Sequence, residues 1–516
     1  MKKIIILIIC IVLIGTMFSG CVEEQAEEPK IESIQELVAG LGRDPIEARG
    51  AHPYLTRIVE RLVFSDFDMN PKPGLATSWS VSNDGLTWTI NLMEGVTFHN
   101  GAIFTAEDVK FNIERLIDKS PMRFGSIQSI DIANANTIKI THNETFAPFI
   151  RTLTGISIFH PDSFDEEGRV DKSIGTGPFK QVKWIDDNKL IMGRNEHYWG
   201  GIPKLERITL KFIPEPTTRV MALKVGDIDM IIDTGGILPE SVPMLEANPN
   251  IEVIASPIVT PHYLTFNNNK TPFNDVRVRW AVRYAINRED IIQYAMEGFG
   301  IPSGSVIPLV FVDWSNTNIP CEFNNPNRAR ELLQEAGWED TDDDGILDRD
   351  GQEFRVVFLL SSGLVGRWPY VTIAEIVQAQ LREVGIIVDL QTVDSGLWRD
   401  MLRNGEVYMT IRPFAGRDIS HRTRLHEWFH SKGVVNNIAG QFYHNKEIDL
   451  LTDELLQTVD ENRAREISFK IQEIIADEVP MIPMYDEIMI NAVRDNVRGY
   501  RPHPRFIINW EEIYIV

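Results

Sequence analysis

His426-Glu427-Trp428-Phe429-His430 is a literal H-E-x-x-H. On a helix this spacing sets two imidazoles one turn apart with a carboxylate between them, which suits a zinc ion and a general base. Gly433 extends the match to HExxHxxG, but Asn436 stands where a third histidine would complete it. No distinct downstream glutamate motif follows. Two readings stay open: zinc-dependent peptide hydrolysis with His426 and His430 as ligands and Glu427 as base, or histidines on a helix with no catalytic task. Removing the Glu427 carboxylate separates them, since it abolishes hydrolysis and hardly touches solute affinity. A second cation candidate is Asp340-x-Asp342-x-Asp344-Gly345 with Asp348 at the ninth place, the start of a calcium loop. Gly351 occupies the twelfth place, where a bidentate glutamate belongs, and an Asp-rich turn leading into a strand over 354–360 explains the same residues. Calcium bound there would be structural.

Lys2-Lys3, an apolar run from Ile4 to Met17 and Phe18-Ser19-Gly20-Cys21 make a secretory leader ending in small residues before a cysteine. The pattern is similar to a lipobox, which makes Cys21 the lipidated first residue of the mature chain. A run of about 14 apolar residues is short for a membrane span, and either reading puts the body outside the cytoplasmic membrane. Residues 21–30 read as an acidic tether. Of the three cysteines only Cys321 is left for the body, so no internal disulfide is expected.

The 516 residues exceed one ordinary core, and 43% hydrophobic with 24% charged residues describes a globular protein. The formal net charge of −23 becomes −25 once Lys2 and Lys3 leave. No Lys/Arg run tracks phosphates, so nucleic acid is not an expected partner. The diffuse negative charge serves solubility and mildly favours cationic solutes.

The elements that must hold these residues are α/β. Asn83-Asp84-Gly85 signals a turn, and Leu86, Trp88, Ile90 and Leu92 alternate with polar residues as a half-buried strand. Thr105 and Asp108 predict a capping box before the apolar stripe Val109, Ile113, Leu116, Ile117. A strand over 208–213 and a helix over 217–225 follow. Ile373, Ile376, Val377, Leu381 and Val384 share a helical face with Gly385 at C′, before alternating Ile386, Val388 and Leu390.

Residues 73–115, PGLATSWSVSNDGLTWTINLMEGVTFHNGAIFTAEDVKFNIER, resemble the extracellular solute-binding proteins of peptide and nickel ABC importers (family 5). The resemblance continues in family order through IGTGPF (174–179), NEHYWGGIP (195–203), PTTRVMALKVGDID (216–229), FNDVRVRWAVRYAINR (273–288), ARELLQEAGW (329–338) and IQEIIADEVPMIPMY (471–485). It spans nearly the whole mature chain and is closer to the nickel-binding branch. It implies a two-lobed α/β, periplasmic-binding-protein-like fold of class II type with an extra inserted α+β domain. The implied bounds are 31–60, 175–265 and 486–516 for the first domain, 61–174 for the insert and 266–485 for the second lobe, with hinge crossings near 266–269 and 483–487.

The resemblance also implies function: a lipid-anchored monomer on the outer face of the cell membrane that delivers cargo to an ABC permease pair and its ATPase subunits, with no covalent chemistry and no cofactor. Arg412, Phe414 and His421 match the nickel branch's R-x-W and Asp-Pro-His frame, with Phe for Trp, and His426 and His430 lie nearest the branch's second histidine. A neutral imidazole suits Ni²⁺ in a small chelate. Asp418 lacks the following proline of the peptide pattern but would anchor a peptide amino terminus if the loop is shifted. Arg123-Phe124 stands for the branch's aromatic-plus-Arg site, while its Arg before a P-x-x-F turn is replaced by Thr154 and Ser157, leaving Arg151 nearby. Trp398 follows a strand where family members line the cleft, and Glu47, Arg49 and His52 follow the first strand. A nickel or similar metal chelate is the first cargo reading, a short peptide the second, and the zinc peptidase the reading of a different class.

Overall fold

Two long antiparallel strands, Ile251–Phe266 and Met481–Arg494, run through the middle of an eleven-stranded sheet. On one side lie Met230–Ile231, Glu36–Leu41, Arg207–Phe212, Lys189–Arg194 and Phe179–Ile185; on the other lie Met409–Pro413, Arg355–Ser361 and Ile387–Val393. The ladder between the long strands pairs Ile251 with Arg494 through Pro257 with Ile488, then resumes at Pro261 with Asp486. Pro257 and Pro261 carry no N–H, so the sequence itself interrupts the pairing there. The computed structural model describes residues 34–42, 57–118, 120–185, 187–321, 324–414 and 420–516. The leader, Cys21, the acidic segment, Glu47, Arg49, His52 and Asp418 lie outside the described residues.

Within Gln35–Val516, which forms one compact unit, the apolar side chains gather into separate cores. Leu37, Ala39, Phe179, Leu210, Met230 and Trp510 fill the first lobe. Leu264, Val278, Leu333, Phe358, Ile373, Val377 and Ile411 fill the second. Each such aliphatic side chain taken from water contributes roughly 1.5–3 kcal/mol, which is how the fold stands without a disulfide among the described residues; Cys321 is free. The insert is a four-stranded antiparallel sheet, in order Ala76–Val81, Thr87–Leu92, Thr137–His142, Ile127–Asn134, with helix Ala106–Ile117 over it. Ile90, Phe104, Val109, Ile113, Ile138 and Phe149 form its core.

Local chemistry explains the element ends. The Asp108 carboxylate accepts from the Thr105 N–H at 2.9 Å, the expected return bond of a capping box. Helix Tyr370–Arg382 buries Ile373, Ala374, Val377 and Leu381, and Gly385 stops it with φ +86°. Helix Pro216–Val225 follows strand Arg207–Phe212 as the pattern predicts. No helix among the described residues is long and apolar enough to cross a membrane.

The lobes touch. The Arg367 guanidinium of the second lobe donates to Thr234 Oγ1 of the first at 2.6 Å. Beside it Gly235 has φ +62°, and a Cβ there would lie 2.7 Å from the Arg367 carbonyl oxygen. Only about 20 Å³ remains between Gly235, Ile237 and Pro239 on one side and Arg367 and Trp368 on the other. The turn after strand Val63–Ser65 places Met69 among Tyr263, Phe311, Trp314 and Trp428.

Candidate functional site

Strand Met409–Pro413 places Arg412 opposite Tyr263. Its guanidinium lies 5.6 Å from the Trp398 ring centroid and 5.4 Å from that of Trp428, and its Nε has no hydrogen-bond partner. Removal from water between these rings pushes Arg412 down to about 10. Phe414 meets Trp428 edge-on at 4.5 Å, and the Arg424 guanidinium lies 4.4 Å over the Phe414 ring. Trp398 is not in a loop: Asp394 caps helix Ser395–Arg403 by accepting from Gly396 N–H, and the Trp398 Nε1–H donates to Thr410 Oγ1 at 3.1 Å. Packing in the second lobe and a face toward Arg412 therefore coexist in one ring.

Helix His421–Phe429 follows, with Ser420 as its cap. His421 is fully buried, and its ring stacks on Trp314 at 3.6 Å with 26° between planes. Neither ring nitrogen has a hydrogen-bond partner. Burial holds its protonation well below the ordinary histidine range, and the positive charges of Arg151, Arg422, Arg424 and Arg465 push it further down. The imidazole is therefore neutral, the form that binds metals. Arg151 comes from the insert, where it donates to the Met69 carbonyl at 2.8 Å, so this cluster sits where the insert and the second lobe meet. Carboxylates facing the cluster include Glu461, 2.9 Å from Arg422, and Asp486, with Asp66 and Asp313 acting on Arg151. Burial pushes Asp486 up to about 7, against the Leu309 amide that its carboxylate accepts at 2.7 Å and the nearby Arg424 charge.

The H-E-x-x-H residues do not form the helical pair that the motif predicts. The helix ends at Phe429 and His430 is its C-cap with ψ 138°. Even so, the rings of His426 and His430 stack at 4.4 Å. The third group beside them is Asp453, from helix Lys446–Gln457, not Asn436. Asn436 is buried and donates to the His430 and Tyr443 carbonyls, a structural bracket. Burial and the neighbouring His430 lower His426, with Asp453 opposing. Asp453 and His426 line a cavity of about 470 Å³ with Ser126, Asn143, Glu144 and Phe146 of the insert; Glu427 is not among its lining residues.

The remaining candidates separate. Phe124 is buried in the insert's own core, so its ring belongs to packing there, while Arg123 beside it is half-exposed. Asp340, Asp342 and Asp344 stand exposed within reach of one another. Asp340 accepts from the Asp344 and Gly345 amides and Asp348 from Thr341, so these carboxylates build the turn that the bland reading expects. Trp314, Arg422, Arg424, Arg465, Asp486 and Asp453 are among the members that sequence reasoning missed. Asp449 and Asp453 sit one turn apart on a single helix, a paired-carboxylate spacing that was the available signal for the last.

Residues 70–436 match the family described as bacterial extracellular solute-binding proteins, family 5 middle. The chain belongs to this family. Heme-binding protein A of Haemophilus influenzae is 26% identical over 503 residues, covering 90% of this chain and 89% of that protein. Glutathione-binding protein GsiB of Salmonella typhi is 28% identical over 455 residues, covering 84% of each. NikA from Brucella suis in complex with Fe(III)-EDTA superposes with a TM-score of 0.84 at 24% identity, covering 93% of this chain and 100% of that one. Family 5 proteins bind a small ligand or peptide outside the cytoplasm and work with ABC permease and ATPase components. The fold is thus the mixed α/β, two-lobed periplasmic-binding-protein-like type.

Proposed function

We propose that this family 5 protein is a lipid-anchored, non-enzymatic carrier of a metal chelate, nickel or a similar metal held by small carboxylate or histidine ligands. The observation that carries the reading is His421: a buried, neutral imidazole with two unpartnered nitrogens, set among Arg151, Arg422, Arg424 and Arg465. One protein nitrogen completes a metal's shell without trapping it, and guanidinium groups suit the chelator's carboxylates. Arg412, Phe414 and Trp398 form the adjoining aromatic wall. Cargo contacts on both lobes favour the closed form, which the permease pair then recognises. Domain bounds near 31–60, 61–174, 175–265, 266–485 and 486–516 accompany this reading.

A short peptide is the second reading, favoured by Asp486, whose second oxygen is buried without a partner and could receive an amino terminus. Hydrolysis on zinc is disfavoured by Glu427, which stands away from the cavity that His426 and Asp453 share. Isothermal titration of the chelator-treated chain with Ni²⁺ plus free L-histidine, each alone, and a di- to pentapeptide pool tests all of this. Heat from the metal–histidine pair beyond that from metal alone, lost in His421→Leu, supports the chelate reading. Peptide heat with none from the pair overturns it.

A further inference from the structure

The cluster at the end of helix His421–Phe429 has a role of its own. We propose that His426, His430 and Asp453 form a site for a resident divalent transition-metal ion of the zinc class, distinct from any cargo, with one exchangeable position facing the cavity toward the insert. Two nitrogens and a carboxylate oxygen are the donor set zinc takes when a fourth position stays open.

The two spacings to Asp453 fit before any movement. Donors each about 2.0–2.1 Å from a tetrahedral zinc lie roughly 3.3–3.4 Å apart. Asp453 Oδ1 is 3.2 Å from His426 Nε2 and 3.6 Å from His430 Nε2. All three donor atoms fall within 4.8 Å of one another. Both imidazoles are buried while Asp453 is half-exposed, so the site is held by packing yet reachable through the cavity of about 470 Å³. The buried His426 Nδ1 has no partner, so only its Nε2 is engaged.

The surrounding shell is also built. Asp449 lies 3.8 Å from His430 Nδ1, and its two oxygens accept from the Ser431 N–H and hydroxyl, each at 2.7 Å. Without metal, His430 Nδ1 accepts from the Lys432 N–H at 2.9 Å, which leaves the proton on Nε2. Metal at Nε2 would put the ring proton on Nδ1 instead, where closing the 3.8 Å to the Asp449 carboxylate would replace the Lys432 N–H contact. A carboxylate behind a metal-bound histidine is the usual support for such a ligand. The ion would join helix His421–Phe429 to helix Lys446–Gln457 opposite Asn143 and Glu144 of the insert.

The test is Zn²⁺ alone, without any chelating partner, added to the chelator-treated full chain and followed by gel filtration and metal analysis. Co²⁺ in its place reports four-coordination through its visible absorption. The expected result is one Zn²⁺ retained per chain, lost on H426Q and on D453N, with D449N weakening affinity about 10–100-fold as supporting carboxylates do. Asp453 is half-exposed and Asn is of equal size, so D453N folds. No stoichiometric Zn²⁺ on the unsubstituted chain, or equal retention by H426Q and D453N, overturns the proposal. Because no chelate is present, the outcome is independent of the cargo reading.

Discussion

One nine-residue helix carries two histidine environments of opposite character. His421 is enclosed by Trp314 and by guanidinium groups from its own helix and two other segments; His426 and His430 stack on each other and face Asp453 and Asp449. Five residues turn a helix by about 140° from one side chain to the other, so the two faces meet different neighbours. A neutral imidazole among cations can serve an anionic complex. Imidazoles beside carboxylates form a cation site. The residue type is the same, and the neighbours decide its chemistry.

The comparison can be broken most forcefully at Trp314. W314A removes the ring under His421 and leaves a cavity, so the unfolding free energy should fall by about 3–5 kcal/mol in denaturant titration, while Zn²⁺ retention at His426 persists. A small loss would mean that the ring does not hold the pocket. Next comes pH. The buried Asp486 holds its proton up to about 7, above its unfolded value, so its contribution to stability is full below about 4 and fades as pH rises through 7. D486N should remove that decline, worth about 1.4 kcal/mol per pH unit across the window. His421 and His426 act with the opposite sign. Their folded values lie below the unfolded value near 6.5, so stability is full above that pH and is lost as acid protonates the unfolded chain. H421L should flatten this acid limb and, by removing two unpartnered buried nitrogens, raise stability at pH 7 by about 1–3 kcal/mol. The same variant that abolishes chelate binding would then be the more stable protein. The smallest effect is expected of E427Q, less than about 1 kcal/mol in cargo affinity; abolition of a peptide-cleaving activity by this change would revive the hydrolase reading.

Much of the fold was legible because it rests on local rules. The capping box at Thr105 and Asp108, the stripe of helix Tyr370–Arg382, the stop at Gly385 and the Asp-rich turn before strand Arg355–Ser361 each depend on residues within a few positions of one another. The break in the central ladder was less legible, because it is set by pairing between strands some 230 positions apart, with Pro257 and Pro261 withholding donors from Met481–Arg494. Similarly, H-E-x-x-H announced two ligands but not that the helix ends before the second, nor that Asp453 would arrive in place of Asn436.

By itself the sequence determined the class of the protein, its net negative charge and the order of its α/β units, since periodicity, charge and caps act over a turn or a strand. Only the tertiary structure decided which histidine is enclosed by arginines and which faces carboxylates. Desolvation and charge fall off over a few ångströms in space, and Arg151, Trp314, Asp453 and Arg465 come within that range of one helix only after the lobes and the insert have packed.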